Sequence, residues 1–168
     1  GVLAIAKNAF VHQHISEQMK ANRTLKQYVA VVHGVLPMQS GTIRAAIGRS
    51  PENPNLRIVV RDGPPAVTHF EVEERYRFAT RIRIRLETGK THQIRVHLKS
   101  LGYPLIGDKM YGIHTGSGSE QAMPPLIDRH ALHAERLGFA HPVAGRWMEF
   151  AAALPEDMER LLRKLSEV

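Results

Sequence analysis

The sequence predicts an α+β domain, a mixed, mostly antiparallel sheet with helices packed against it. Three observations carry this. Stretches that alternate polar and apolar residues outnumber stretches of helical spacing. The alternating stretches come in runs separated by hairpin-length breaks of Gly, Pro and Asn. Helical spacing is confined to the beginning, the middle and the end of the chain, the order expected when helices cover a sheet rather than alternate with its strands.

In chain order, residues 1–7 read as an apolar strand, and Asn8 caps a helix with Val11, Ile15 and Met19 on one stripe. Residues 26–32 alternate as a strand with Tyr28, Ala30 and Val32 on one face, ended by Gly34 and Pro37. Residues 48–57, with two Pro and two Asn, and the Gly63-Pro64-Pro65 break read as loops. Strict alternation then places Ile82, Ile84 and Leu86 on one face of a strand and Arg81, Arg83 and Arg85 on the other. Gly89 turns the chain into a helix carried by Ile94, Leu98 and Leu101, with Thr91 as N-cap and Gly102 as its stop. Residues 112–125 are a Gly-, Ser- and Pro-rich loop, and His130 to His133 lie on a strand. Pro155, Glu156 and Asp157 open a closing helix with Met158, Leu161, Leu162 and Leu165 as its buried stripe, and Arg163 and Lys164 suit its C-terminal end.

Composition narrows the function. The 168 residues, 43% hydrophobic, suffice for one domain with a core. Lys and Arg exceed Asp and Glu by 23 to 16, a formal charge of +7 that favours a polyanionic partner, nucleic acid first. No apolar run has membrane-spanning length, so we expect a soluble cytoplasmic monomer with no membrane partner. Absence of Cys excludes disulfides, thiol nucleophiles and zinc-thiolate sites. The pairs His92 with His97 and His130 with His133 do not make a metal-ligand set, and no metal site is expected. Gly89-Lys90-Thr91 evokes a phosphate-binding loop, but Ile84 stands where that loop needs its first Gly.

The stretch Thr88-Gly89-Lys90-Thr91-His92-Gln93-Ile94-Arg95-Val96-His97 closely resembles the third motif of the RluA family of pseudouridine synthases, with Lys90 in place of the usual Arg. The likeness continues through Gly102-Tyr103-Pro104, Gly107-Asp108, Tyr111-Gly112, Arg129-His130-Ala131-Leu132-His133 and His141-Pro142. Upstream, Lys26-Gln27-Tyr28 resembles the family's Lys-x-Tyr motif, and the RluD-like members that act on large-subunit ribosomal RNA match best. The resemblance implies isomerisation of uridine to pseudouridine in RNA, without a cofactor. It also implies that residues 1–168 are the catalytic domain lacking its N-terminal strands and its His-Arg-Leu-Asp motif. The nucleophilic Asp is then expected a few residues before Gly1, and this chain alone is expected to be inactive.

The chemistry requires an ionised carboxylate in a dry pocket, held by a cation that offsets its desolvation. Arg95, flanked by Ile94 and Val96, is the candidate, and the resemblance pairs its counterpart with the catalytic Asp. Tyr28 is the candidate to stack on the flipped base, a role that also rests on the resemblance. Lys90, His92 and Gln93 at the helix start suit either an RNA contact or the turn itself, and Arg81, Arg83 and Arg85 suit either an RNA backbone or a solvated face. Asp108 reads as a turn residue rather than a nucleophile, and neither Asp62 nor Asp128 has positional support. His130, His133, His141 and Trp147 read as core and sheet structure. The alternative is an RNA-binding module without catalysis.

Overall fold

The computed structural model describes residues 1–112 and 127–168. Helix α1 (Ala9–Lys20) precedes five strands, β1 (Leu25–His33), β2 (Ser40–Arg49), β3 (Arg57–Val60), β4 (Pro65–Arg75) and β5 (Ala79–Leu86). Helix α2 (Gln93–Ser100) follows, then β6 (Leu132–Ala140), β7 (Trp147–Ala151) and α3 (Glu156–Ser166). The strands form one sheet in the order β3-β2-β4-β5-β1-β6-β7, and its pairings are antiparallel. The α+β architecture is therefore the expected one.

Alternation along the strands divides the core into two layers. Ala30 and Val32 of β1, Phe70 and Val72 of β4, and Ile82, Ile84 and Leu86 of β5 pack with Ile94 and Leu98 of α2. On the opposite face Val29 and Val31 pack with Met158, Leu161 and Leu165 of α3, all at most 2% exposed. Burying each of these α3 side chains contributes about 1.5–3 kcal/mol, which fixes the closing helix to the sheet. Arg129 adds a bidentate clamp on Asp157 in the first turn of α3, at 2.7 and 2.9 Å.

The ends of α1 and α2 follow local rules with one exception. Asn8 accepts the Val11 amide at 2.9 Å, the expected N-cap. Gly102, at φ +85°, closes α2 by donating to Lys99, while Tyr103 donates to Leu98, the paired bonds that end a helix through a left-handed residue. At the start of α2, however, His92 and not Thr91 is the N-cap, and it is left-handed at φ +57° with no capping bond from its side chain.

Other expectations need correction. Residues 1–7 form no strand: Val2 donates one bond to Ala134, and Leu3 and Ile5 are each 80% exposed, because among the described residues no strand runs alongside to bond their backbone. Gly48 and Arg49 belong to β2 and Arg57 to β3, so the loop between them is shorter than expected. Leu101 lies past the last turn of α2 and is 38% exposed, outside the core stripe. His130 precedes β6, and only His133 is on the strand. Trp147 lies over Gly138 but is 53% exposed, because β7 is the sheet edge. The loop expected at 112–125 lies, after Gly112, outside the described residues.

Candidate active site

Arg95 projects from the first turn of α2 toward the loop that follows the helix. There Asp108 receives its Nε at 2.7 Å and its Nη2 at 2.6 Å, a two-point grip that fits guanidinium to carboxylate. The Asp108 side chain is fully buried and also accepts the amides of Met110 and Tyr111 at 3.0 Å each. Burial pushes its carboxyl up, but Arg95 and those two amides outweigh this and hold it below the usual carboxylate range. The bond to Asp108 in turn raises Arg95 above its already high value. The Tyr111 ring lies against the guanidinium, 4.7 Å from ring centre to Cζ, a cation–π contact. Nη1 has no hydrogen-bond partner among the described residues, which leaves the outer edge of Arg95 without an anion there.

His92 stands beside this pair. Its Nδ1 is 2.9 Å from the Tyr111 hydroxyl, which also accepts the Arg57 amide at 2.8 Å and so ties the start of β3 to the site. Burial and the nearby Arg95 and Arg57 lower the His92 pKa, against an opposing pull from Asp108. A left-handed non-Gly residue costs about 1–3 kcal/mol, and such strain concentrates at functional sites.

Gln93 and His97, one helical turn apart, face the sheet instead. Gln93 is 2% exposed, accepts from Thr88 and the Lys90 amide, and donates to Val67 and Thr68. His97 is fully buried between the Thr68 hydroxyl at 2.9 Å and the Ala45 carbonyl at 3.2 Å, and burial lowers its pKa despite the Ala45 bond. The Gln93 amide is thus bonded within the turn and the sheet. Lys90 keeps an exposed side chain at the same turn.

Tyr28 lies on the α2 side of the sheet, packed against the apolar cluster that includes Ile94 and Leu98. Burial raises its pKa, and its hydroxyl has no hydrogen-bond partner among the described residues. Its cross-strand neighbour on β6 is Ala134, and Gly1 rests on Ala134 so closely that a side chain there would stand 2.7 Å from its carbonyl oxygen. Arg81, Arg83 and Arg85 line the other face. Arg81 and Arg83 pair with Glu73 at 2.8 and 2.5 Å, Arg83 also approaches Glu135, and Arg85 has no ion pair among the described residues. The fold thus gathers Arg95, His92 and Lys90 around one turn and separates them from the arginine ladder. Asp108, which the sequence marks as a turn residue, and Tyr111, to which it gives no role, join this cluster; their 13- and 19-residue separations from Arg95 and His92 close only in three dimensions. Among the described residues no group of three or more His, Asp or Glu side chains could hold a metal ion, and no helix is long and apolar enough to cross a membrane.

The Arg95–Asp108 pair and Tyr28 thus lie on the same side of one antiparallel sheet. The chain belongs to the RNA pseudouridylate synthase family, matching it over residues 1–100. It is 44% identical over 165 residues to an uncharacterized RNA pseudouridine synthase, YlyB, of Bacillus subtilis, covering 98% of this chain and 52% of that protein. It is 41% identical over 173 residues to the ribosomal large subunit pseudouridine synthase D of Xanthomonas campestris, covering 99% and 52%. The chain thus spans about half the length of the curated relatives it matches. Its fold is similar to that of human RNA pseudouridylate synthase domain containing 4, with a TM-score of 0.75 at 23% identity over 99% of this chain and 71% of that one.

Proposed function

We propose that this chain is the major part of the catalytic domain of a pseudouridine synthase acting on RNA, with large-subunit ribosomal RNA as the substrate class. The observation that carries the reading is Arg95: a guanidinium only 11% exposed, gripped on one edge by Asp108 and open on the other. Such a group can hold an incoming carboxylate ionised in a pocket that would otherwise protonate it. Asp108 is already committed to Arg95 and two amides, and the reacting carboxylate, as the resemblance implies, comes from a segment upstream of Gly1. The resemblance of residues 1–7 to the stretch after the family's Asp motif supports this, as does the seat of Gly1 beside the neighbour of Tyr28.

The uridine leaves the RNA stack. The carboxylate acts at the sugar, the bond from C1′ to N1 breaks, the uracil turns against Tyr28, and C1′ joins C5. Loss of the proton from C5, matched by gain of one at the freed N1, completes an isomerisation with no net redox change. Lys90 and His92 meet the RNA near the reacting nucleotide, and Arg85 meets it on the other face. The similarity to relatives named for the large ribosomal subunit supports the substrate class. A ribosomal target also supports a cytoplasmic location.

The test is tritium release from RNA labelled at C5 of uridine, with a large-subunit ribosomal transcript. We expect no release by this chain alone and release by a longer chain that includes the upstream residues. Release by this chain alone would move the nucleophile to one of its own carboxylates. RNA binding without release by either chain would leave a binding module.

A further inference from the structure

We infer that His92 contacts the substrate, its Nε2 serving as an uncharged N–H donor beside Arg95 for an acceptor oxygen of the target nucleotide. This rests on the proposed synthase reading and adds a residue and a polarity to it.

The argument starts from Tyr111, which is 2% exposed. Its hydroxyl oxygen accepts the Arg57 backbone N–H, a group that can only donate. The hydroxyl proton therefore needs another acceptor, and the one other polar atom bonded to it among the described residues is Nδ1 of His92. A buried hydroxyl gives its proton away rather than leave it unpaired. Nδ1 is thus the acceptor, and the ring hydrogen sits on Nε2.

The surroundings keep the ring uncharged. Arg95 and Arg57 face it, Tyr111 meets it edge-on with ring centres 5.5 Å apart, and Asp108, the nearby anion, is spent on Arg95. His130, from the stretch before β6, adds no negative charge. His92 is partly buried, and its Nε2 has no partner among the described residues. The left-handed backbone of His92 is explained neither by a glycine nor by a capping bond. It places the ring where Tyr111 holds it.

A fixed donor matches two kinds of oxygen on a uridine nucleotide, a uracil carbonyl or a phosphate. A donor aimed at the O4 carbonyl would oppose the amine that cytosine carries there, whereas a donor to phosphate ignores the base.

The first measurement is nitrogen-15 NMR of the His92 side chain in this chain. We expect hydrogen on Nε2 and a bare Nδ1, with the tautomers mixing in Tyr111→Phe; hydrogen on Nδ1 in the wild type overturns the inference. The second is kinetics in the longer chain that includes the residues upstream of Gly1. His92→Ala should lower kcat/KM at least tenfold, and His92→Gln, which restores an uncharged amide donor, should recover most of it. An unchanged kcat/KM in His92→Ala overturns the inference, whereas an inactive wild type overturns the synthase reading instead. RNA with cytidine at the target, or with a methylphosphonate beside it, separates the sources. Loss of uridine preference in His92→Ala assigns the carbonyl, and loss of the His92→Ala effect on the methylphosphonate assigns the phosphate. If neither substrate responds, the contact does not exist.

Discussion

Asp108→Asn should be among the most damaging isosteric substitutions in this chain. It removes one charge and no volume. The wild-type carboxylate, fully buried, takes two bonds from Arg95 and two from backbone amides. An asparagine turns an N–H₂ toward a guanidinium that is itself only 11% exposed, leaving a cation without its anion. Breaking one side of a buried pair costs about 3–5 kcal/mol, and the residual exposure of Arg95 places the expectation near the lower end, about 3 kcal/mol. With a urea slope of about 2 kcal/mol/M, the midpoint should drop by about 1.5 M. The pH dependence gives an independent check. The native carboxyl lies below its ordinary value, so its contribution is complete above about pH 4 and is lost as pH falls through the lowered native value. The gap between wild type and variant should therefore hold at neutral pH and narrow below about pH 4. A loss under about 1 kcal/mol at neutral pH would refute the reasoning, since that is the range of an exposed pair.

Burial lowers the pKa values of His33, His92, His97 and His130, so the unfolded chain binds protons first; stability should fall as pH drops from about 7 through the ordinary histidine value near 6.5, and urea midpoints flat across that window would contradict it. Gly107 sits at φ +73°, and a Cβ there would stand 2.3 Å from the Arg129 carbonyl oxygen. Gly107→Ala should therefore cost more than about 1 kcal/mol in thermal melts, while Gly89→Ala, with open space around it, should cost less. The single tryptophan, Trp147, is 53% exposed, so acrylamide should quench it readily; a shielded emission would displace β7 from the sheet edge. For RNA binding, Arg85→Ala should flatten the salt dependence by a slope of about 1, whereas Arg81→Ala, which removes a charge already matched by Glu73, should leave it nearly unchanged; equal effects would deny that pairing decides which arginine meets RNA.

Where periodicity and burial agree, the sequence was enough. The alternation of β5 appears as written, and the α3 stripe with Leu162 only partly buried at its margin, because each strand or helix has one buried face, and that face selects the residue type. Residues 1–7 have the apolar composition of a strand, but composition supplies no backbone partner. The start of α2 was misread because capping rules assume an extended N-cap; the bond from Tyr111, 19 residues away, accompanies a left-handed one. Arg95 stood out by its motif, but its partner did not, since nothing local marks a helix residue and a loop residue 13 positions apart as a pair. Gln93 and His97 have the polarity of surface residues and are interior only because Thr68 and Ala45 meet them there.

The strand order has a consequence for how the chain acquires its structure. β1 is the first strand among the described residues, yet its two neighbours in the sheet, β5 and β6, begin at Ala79 and Leu132. Its most deeply buried run, Val29 to Val32, is thus made long before either edge can be satisfied. Pairings across such separations are slow to close, because the entropy of a long loop is lost before any bond is gained. During that interval β1 is an apolar strand with free backbone groups on both sides, the arrangement most prone to pair with another chain. Truncation between Ser100 and Leu132 leaves the β6 side of β1 permanently unpaired, so C-terminally shortened forms of this protein should aggregate even though they retain Arg95 and Tyr28.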